Sequence, residues 1–401
     1  MADNFDIIIS GGGFAGLTAA AGLSGLGLKI AVIEFQTLDK IKNDLSDKRT
    51  TALSYFSKKF FTKIGLWDGI EKNAGAINDI KIIDADYVNG DSKLNLNFSK
   101  SDVEAELGEN TPMGFITENH HLKNCLLDFC LNQPDIKIIE KQSVTSIEQS
   151  PISVEVTLSD NSHLTAKLLI AAEGRNSSTK ELLKIKTFDK DYNQTAITFN
   201  LNHEFSHHQT AIERFMPTGP FAVLPMKNPL QSSIVWTVER PTAQFYMQMP
   251  EGEFLAEVEK RLGDTLGKFE LATPRSSYPL TLKYAQKYVE GRCALVADTA
   301  HGIHPIAGQG FNQGVKDIAL LCELVGENLE LGLDVGDAAM LTKYEKTSKS
   351  DNMQMILATD IFNSLFSNDN KIISAARRIG IKGVDKISPI KRFFIKRAMG
   401  A

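Results

Sequence analysis

The sequence predicts an α/β protein with three parts: a core of strands and helices assembled from separated stretches of chain, an antiparallel β-sheet domain, and a helical C-terminal region. Two glycine-rich turns, each lying between an apolar strand and an apolar helix, predict the first part: "GGGFAG" at residues 11–16 and "HPIAGQG" at residues 304–310. Segments of alternating apolar and polar residues lie between these turns and predict the sheet.

Composition limits the classes of function that are open to this chain. Its 401 residues, 42% hydrophobic and 23% charged, are typical of a globular protein of two or three domains. A net charge of −5 gives no general electrostatic reason to bind nucleic acid. The four cysteines show neither a CxxC pair nor zinc spacing, so we expect reduced thiols in the core of a cytoplasmic protein, and no metal: Cys125, Cys130, Cys293 and Cys322.

The sequence contains no apolar run that approaches the roughly 20 residues needed to span a bilayer. Residues 371–401 nevertheless carry nine Lys or Arg against one acid, Asp385, and the charges alternate with apolar residues. Two interpretations stay open: a solvated pair of terminal helices, or a basic amphipathic tail that contacts anionic lipid at the inner face of a membrane.

The first glycine turn has the arrangement of a dinucleotide site. A buried strand precedes Gly11, Gly13 and Gly16, a helix follows them, and a second strand ends in Glu34. Gly11 permits the tight turn, Gly13 allows the backbone to approach a pyrophosphate, and Gly16 allows close contact between helix and strand. Glu34 is placed to accept hydrogen bonds from ribose hydroxyls and disfavours a 2′-phosphate, so FAD or NAD suits this site better than NADP.

The second glycine turn predicts another anion site. The strand "CALVAD" ends in Asp298, where a carboxylate can accept hydrogen bonds from a polyol chain. After Gly308, Gln309 and Gly310, a helix begins near Phe311 and Asn312. The N–H groups at such a helix start are suited to stabilising the negative charge of a reduced flavin.

Several further segments complete a resemblance to a known family. They are "DKRTTALSYFS", "GFITENHHLKNCLL", "ERFMPTGPFAVLPM" and "VADTAHGIHPIAGQGFNQGVKD". With these, the chain resembles the group A flavoprotein aromatic hydroxylases of the para-hydroxybenzoate hydroxylase superfamily, and within them the ubiquinone-biosynthesis hydroxylases. The resemblance implies a Rossmann-like FAD-binding domain from residues 1–80, 115–185 and 285–340, an antiparallel β-sheet substrate domain from 81–114 and 186–284, and a helical region at 341–401.

The resemblance also implies roles for individual residues. The glycines and Glu34 match the family's phosphate and ribose contacts, and Arg49 matches an arginine near the FAD phosphates. Val144 matches a backbone contact to adenine, and Asp298 matches the aspartate that binds the ribityl chain. The loop over the flavin ring corresponds to Pro305, Gly308, Gln309, Gly310, Phe311 and Asn312.

The chain departs from the family pattern at three places. The family's Asp-Gly turn is Glu173-Gly174 here, a later arginine is Lys180, and the Gly-Asp pair before the flavin loop is Ala297-Asp298. Glu173 keeps the charge on a longer arm. Ala297 is expected to cost little if its φ is negative.

The implied reaction is O₂-dependent hydroxylation of a polyprenylated phenol in ubiquinone biosynthesis, through a flavin C4a-hydroperoxide. NADPH or NADH would act as a transient reductant, and the enzyme would meet its substrate at a membrane surface or in a biosynthetic complex. His301 and His304 are the candidate bases near the flavin loop, although such histidines more often bond backbone carbonyls. Two alternatives stay open: a related FAD enzyme with another aromatic or isoprenoid substrate, and a non-catalytic flavoprotein in a complex.

Overall fold

The computed structural model describes residues 3–86, 90–104, 108, 111–216, 218–303, 309–366 and 399, and it confirms the α/β fold. In chain order the strands are β1 (Asp3–Asn4), β2 (Ile7–Ser10), β3 (Ile30–Glu34), β4 (Thr50–Ser54), β5 (Gly75–Ile77), β6 (Asp79–Asp86), β7 (Gly90–Ser99), β8 (Gly114–Glu118), β9 (Ile136–Glu140), β10 (Val144–Gln149), β11 (Val154–Leu158), β12 (His163–Ala166), β13 (Leu168–Ala171), β14 (Thr187–His203), β15 (Thr210–Met216), β16 (Gly219–Pro225), β17 (Gln231–Glu239), β18 (Phe269–Leu271), β19 (Ser276–Ala285), β20 (Val289–Glu290), β21 (Cys293–Leu295) and β22 (His301–Gly302).

The helices lie between and around these strands. They are α1 (Phe14–Leu23), α2 (Leu38–Asn43), α3 (Tyr55–Lys63), α4 (Trp67–Glu71), α5 (Asn119–Leu131), α6 (Ser178–Leu182), α7 (Arg240–Gln248), α8 (Glu251–Leu262), α9 (Gln309–Glu330) and α10 (Ala338–Phe366). Short 3₁₀ turns occupy Lys100–Asp102, Gly263–Leu266 and Ala297–Thr299.

The six-stranded sheet carries the first glycine turn. Its strand order is β20-β21-β13-β2-β3-β9, and every neighbouring pair is parallel except β20 with β21. Ile7, Ile8 and Ile9 of β2 have no exposed surface, because helices cover one face and the four-stranded sheet β1-β12-β11-β10 packs on the other. A continuous apolar run is typical of such a doubly covered parallel strand.

The nine-stranded sheet contains the segments that were predicted to form a separate sheet. Its order is β22-β19-β14-β17-β16-β15-β6-β7, with β18 also paired to β14. Most pairs are antiparallel, including the neighbouring strands β6 and β7. One pair departs from the expected pattern, since β6 and β15 run parallel.

Successive side chains of the large sheet alternate between its two faces. Phe221, Ile234 and Trp236 point towards α7 and α8, where they form a buried core with Phe254. Their neighbours Ala222 and Val235 point the opposite way, because successive side chains of a strand alternate between faces. Phe221 and Trp236 therefore belong to the core between the sheet and these helices.

The described part of the C-terminal region consists mainly of α10, which packs against α9. The hydroxyl of Tyr344 donates to the carbonyl of Leu295 at 2.7 Å and so fixes α10 to the six-stranded sheet. Among the described helices, none is long and apolar enough to cross a membrane. The basic tail at 371–401 lies outside the described residues except for Met399, which is buried beside Phe215.

Trp236→Ala is expected to lower the free energy of unfolding by about 3–5 kcal/mol, because it empties a fully packed site between the sheet and α8. Val235→Ala on the other face removes fewer packed atoms and is expected to cost about 1 kcal/mol. Urea denaturation of both variants measures the difference. Equal losses would contradict the assignment of the two faces.

Candidate functional site

The first glycine turn has the geometry that its sequence predicts. Gly11 has a φ of +105°, and a Cβ there would lie 2.7 Å from the carbonyl oxygen of Ala172. A Cβ at Gly16 would lie only 1.8 Å from the carbonyl oxygen of Gly11, so α1 can approach β2 this closely only with glycine. A Cβ at Gly13 would meet no protein atom within 4 Å. Gly13 thus faces open space at the start of α1, where a phosphate can approach the backbone.

The start of α1 has no side-chain cap. Gly13 is the N-cap residue and makes no side-chain hydrogen bond, and the first turn contains no acidic residue. The first N–H groups of a helix have no acceptor within the helix, and the helix dipole favours an anion there. This end of α1 is therefore suited to a pyrophosphate.

Glu34 is oriented by the backbone of the same turn. Its two carboxylate oxygens accept the N–H of Gly12 and the N–H of Gln36, each at 2.8 Å, and the residue is 5% exposed. An ionised carboxylate has about four acceptor sites, so it can still accept from ribose hydroxyls. Val144 begins β10 nearby and packs with Ile33, the residue before Glu34. Glu34 and Val144 thus lie close together at the end of β3.

The turns after β13 and β21 are joined side by side. Arg175 donates from Nε to Asp298 at 3.0 Å, and the N–H of Gly174 donates to the hydroxyl of Thr299 at 2.8 Å. Lys180 donates to the carbonyls of Arg175 and Thr299, at 3.2 and 3.3 Å. Burial lowers the pKa of Lys180. This lysine therefore holds the two turns together at the position where the family carries arginine.

Glu173, the lengthened acid of the first of these turns, is held by four donors. They are the hydroxyls of Ser10, Ser177 and Ser178 and the N–H of Thr179, at 2.5–3.1 Å. Ser10 is the last residue of β2, immediately before the glycine turn. The longer side chain of Glu173 thus connects the start of α6 to the glycine turn. The four hydrogen bonds to its carboxylate all come from the protein itself.

The start of α9 lies against the start of α1. Phe311 in the first turn of α9 contacts Phe14 in the first turn of α1, with ring centroids 5.6 Å apart. Gln309 is the first residue of α9, and a Cβ added at Gly310 would meet the side chain of Ile303 only at 4.0 Å. Pro305, Gly308 and the candidate base His304 lie outside the described residues. Two helix N-termini therefore meet at one place, and a single extended anionic molecule can reach both.

Asn312 connects this helix start to the elements beside it. Its side chain accepts from the N–H of Ser54 and the hydroxyl of Ser57, at 2.8 and 2.7 Å, and donates to the carbonyl of Ala52 at 2.9 Å. The side chain is therefore used to join α9 to β4 and α3. The contact expected from the sequence would come from the backbone of Asn312 instead.

A cavity of about 280 Å³ lies between the first turn of α1 and the large sheet. Burial raises the pKa of Tyr278, so its hydroxyl stays protonated at neutral pH. The lining residues come from the two domains that the sequence predicts: Phe14, Arg49, Thr50, Thr51, Asn119, Thr198, Ser233, Val235 and Tyr278.

Arg49 is positioned at the edge of this cavity by an ion pair. Its guanidinium donates to both oxygens of Asp47, at 2.8 and 2.7 Å, and the amide of Asn119 donates to the same carboxylate at 3.0 Å. Burial alone would raise the pKa of Asp47, but the hydrogen bonds from Arg49 and Asn119 lower it to about 2. Asp47 stays ionised, and Arg49 keeps about half of its side-chain surface available to a ligand phosphate.

His301 lies in the core rather than on the cavity. It has no exposed surface, and Nε2 is 2.5 Å from the carboxylate of Asp317 on α9. Burial alone would lower the pKa of His301, but Asp317 raises it on balance. Asp317 also accepts from Asn352 of α10 and from the N–H of Ala297, at 2.9 and 3.1 Å. The partner of His301 is thus a buried carboxylate, not a backbone carbonyl.

The φ of Ala297 is positive, at +52°, and not negative. This is the left-handed region, which glycine adopts freely and alanine adopts at a cost of roughly 1–2 kcal/mol. The Cβ of Ala297 also faces Gly314 of α9, where an added Cβ would lie 2.5 Å away. Ala297 is therefore tolerated because glycine occupies position 314.

The sequence singled out the two glycine turns, but it did not single out most of the residues that line the cavity. Asp47, Asn119 and Tyr278 were not identified in advance, because ordinary polar residues in strands and loops carry no spacing signal. The alternation of the strands did contain part of the information. It separates Thr198 and Val235, which line the cavity, from Phe199 and Trp236, which do not.

Comparison with known proteins agrees with this geometry. A family model described as "FAD binding domain" matches residues 4–357. The chain is 37% identical over 395 residues to the ubiquinone hydroxylase UbiL of Rhodospirillum rubrum, covering 98% of this chain and 89% of that protein. It is 29% identical to the mitochondrial ubiquinone biosynthesis monooxygenase COQ6 of Dictyostelium discoideum, covering 99% of this chain and 91% of that protein.

A solved structure has the same fold. The crystal structure of p-nitrophenol 4-monooxygenase PnpA from Pseudomonas putida matches with a TM-score of 0.80, covering 99% of this chain and 98% of that one. The sequences are 18% identical, so this likeness concerns the fold alone.

Gly13→Ala and Gly16→Ala are expected to separate cofactor binding from folding. Gly13→Ala leaves the stability of the protein without cofactor unchanged, because the new methyl group meets no protein atom. It weakens FAD binding about tenfold or more by displacing phosphate hydrogen bonds worth about 1.5–3 kcal/mol. Gly16→Ala instead destabilises the apoprotein, since its Cβ collides with Gly11. Apoprotein melting and FAD titration measure both effects; unchanged FAD affinity in Gly13→Ala would contradict the assigned site.

Ala297→Gly is expected to raise the free energy of unfolding by about 0.5–1 kcal/mol. It removes backbone strain of roughly 1–2 kcal/mol, and the greater freedom of glycine in the unfolded chain offsets about 0.4–1 kcal/mol of this gain. Ala300→Gly is the matched control, because the φ of Ala300 is −85° and carries no such strain. Chemical denaturation should show stabilisation in the first variant and destabilisation in the second.

Proposed function

Because the chain belongs to the FAD binding domain family, among the group A flavoprotein monooxygenases, we propose that it hydroxylates the aromatic ring of a polyprenylated phenol in ubiquinone biosynthesis. The observation that carries this proposal is the position of the cavity. Phe14 from the start of α1 and Thr198, Val235 and Tyr278 from the large sheet line the same space. A cofactor held at the start of α1 therefore faces a substrate held on the sheet.

The described residues among the predicted contacts are compatible with FAD. The uncapped start of α1 and Arg49 would hold the pyrophosphate, Glu34 the adenosine ribose, and Asp298 the ribityl chain. Backbone N–H groups at the start of α9 would face the flavin edge. When bound, FAD takes electrons from NADH or NADPH and activates O₂ for transfer of one oxygen atom to the ring.

The protein's own contribution is to position the substrate and exclude water from it. A volume of about 280 Å³ accommodates an aromatic ring with its small substituents. A polyprenyl tail is larger and would extend out of the cavity. Thr198 and Ser233 offer hydroxyl groups to a polar ring, while Val235 packs against its apolar edge.

A substrate with a polyprenyl tail resides in a bilayer, so the enzyme would collect it at the inner face of the membrane. The basic, apolar residues 371–401 provide a sequence feature for such contact. Contact through a ubiquinone-biosynthesis complex would serve the same purpose.

The test combines the purified protein with a deletion strain. The protein is expected to bind FAD, and a prenylated phenol should stimulate NAD(P)H oxidation with formation of the hydroxylated product. Quinone extracts of the deletion strain should accumulate an under-hydroxylated prenyl intermediate. Unchanged ubiquinone in that strain, together with no product in vitro, would overturn the proposed substrate. FAD binding without NAD(P)H oxidation in the presence of any phenol would favour a scaffold role.

A further inference from the structure

Several polar side chains of the cavity wall are bonded to one another. The hydroxyl of Thr50 donates to that of Ser233 at 2.8 Å, and the hydroxyl of Thr51 donates to the amide oxygen of Asn119 at 2.7 Å. Four of the polar residues that line the cavity therefore have a partner within the wall itself.

Thr198 differs from these four residues. It lines the same cavity and is 6% exposed, yet its Oγ1 has no hydrogen-bond partner in the described structure. A buried hydroxyl without a partner destabilises a folded protein, and the great majority of such groups are bonded. An unpartnered hydroxyl in the wall of a cavity is thus available to a ligand that enters it.

The register of the large sheet fixes the direction of the Thr198 side chain. Thr198 of β14 is paired with Val235 of β17, and both residues line the cavity. The neighbours of Thr198 along β14, Ile197 and Phe199, belong to the core on the opposite face. Because successive side chains of a strand alternate between faces, Thr198 projects from the face that carries the cavity.

Thr198 can present its hydroxyl to the cavity without any change in the backbone. Its Cβ carries Oγ1 and the methyl group Cγ2, and rotation about χ1 between staggered rotamers exchanges these two atoms. No protein group in the described structure holds Oγ1 in one rotamer through a hydrogen bond. A ligand that offers a hydrogen bond therefore selects the rotamer in which the hydroxyl faces it.

Val235 places an apolar surface next to this hydroxyl. Side chains directly opposite each other on neighbouring antiparallel strands have Cβ atoms about 4.5–5.5 Å apart. A hydrogen bond between two hydroxyl groups spans about 2.7–2.8 Å. An aromatic ring that packs on Val235 would therefore place an oxygen substituent at its edge within hydrogen-bonding distance of Thr198. A ring without such a substituent would leave the hydroxyl without a partner.

The location favours the substrate over the cofactor as the partner of Thr198. Glu34 and Asp298, which are predicted to bind the two sugar-like parts of FAD, lie at the ends of β3 and β21 in the other sheet. Thr198 lies on β14 in the interior of the large sheet, between β19 and β17. It thus lines the cavity from the sheet, whereas Phe14 lines it from the start of α1.

We propose that Thr198 is a specificity-determining residue whose hydroxyl forms a hydrogen bond with the oxygen substituent of the substrate's aromatic ring. This inference rests on the proposed function, since it assigns the cavity to that substrate. A threonine hydroxyl both donates and accepts, so it can bond a ring hydroxyl in either direction. The protein thereby selects oxygen-bearing rings over prenylated hydrocarbon rings, because the hydrocarbon leaves a buried polar group unpaired.

Thr198→Val tests this contact, because valine keeps the shape of threonine and lacks the hydroxyl. The probes are 2-geranylphenol and geranylbenzene, which differ only in the ring oxygen, and calorimetric titration of the holoprotein measures their Kd. The wild type should bind the phenol more tightly. In Thr198→Val the Kd of 2-geranylphenol should rise about tenfold, while that of geranylbenzene stays the same. An unchanged Kd for the phenol, or equal weakening of both probes, would overturn the inference.

Thr117→Val is the matched control. The hydroxyl of Thr117 on β8 is also buried without a partner, but Thr117 is not among the described residues that line the cavity. Both substitutions remove an unpartnered polar atom, so both should raise the melting temperature. Only Thr198→Val should change the Kd of 2-geranylphenol. A merely structural role of Thr198 would not combine higher stability with weaker binding of one probe.

Thr198→Ser supplies a second test if the valine variant fails to fold. Serine keeps the hydroxyl and removes only the methyl group, so the preference for 2-geranylphenol over geranylbenzene should remain. Loss of that preference in Thr198→Ser would contradict the inference. FAD titration of the apoprotein should give the same Kd for the wild type and for each folded variant of Thr198. Weaker FAD binding would instead assign the hydroxyl to the cofactor.

The outcomes separate this inference from the proposed function. If the wild-type holoprotein binds 2-geranylphenol with a preference that depends on Thr198 but hydroxylates no prenylated phenol, the proposed reaction fails and the contact stands. If the wild type forms the hydroxylated product and Thr198→Val has the same KM for 2-geranylphenol, only the role of Thr198 is overturned.

Discussion

The guanidinium of Arg175 joins the parts of the molecule on which the site depends. It bonds Asp298 in the turn after β21, the carbonyl of Thr281 on β19 of the large sheet, and the carbonyl of Ile303 just before the undescribed part of the flavin loop. Asp298 and Thr281 are 3.0 Å from the guanidinium nitrogens that bond them. The group also fills the space beside Gly302, where a Cβ would lie 2.6 Å from its Nε. The cofactor side and the substrate side are thus fixed to one rigid side chain.

The geometry of the first glycine turn could be predicted from the sequence because its requirements are local. Gly11, Gly13 and Gly16 are read from their spacing, and each has the steric surroundings that its predicted role requires. The positive φ of Ala297 could not be read in the same way, because it depends on Gly314 one element later. The local pattern identifies a turn, whereas the strain within it is decided by tertiary packing.

The substrate side depends on long-range pairing and was predicted less completely. Strand alternation indicates two faces for the segments of the large sheet, but it does not say which face meets the cofactor. Only the register of β14 with β17 places Thr198 beside Val235 at the cavity. The ion pair of Arg49 with Asp47 is equally hidden, since two charged residues near each other in a loop are ordinary in any sequence.

The interleaving of the two largest sheets has a consequence for biosynthesis. The six-stranded sheet needs β21 near residue 295, and the nine-stranded sheet needs β6 and β7 from residues 79–99 as well as β22 at 301–302. Neither sheet can be completed until about three quarters of the chain has been made, while β6 waits for β15, its neighbour more than 100 residues later. Distant pairings of this kind fold slowly and leave apolar strands uncovered during translation. The parallel contact between β6 and β15 therefore leaves β6 without this neighbour while more than 100 further residues are synthesised.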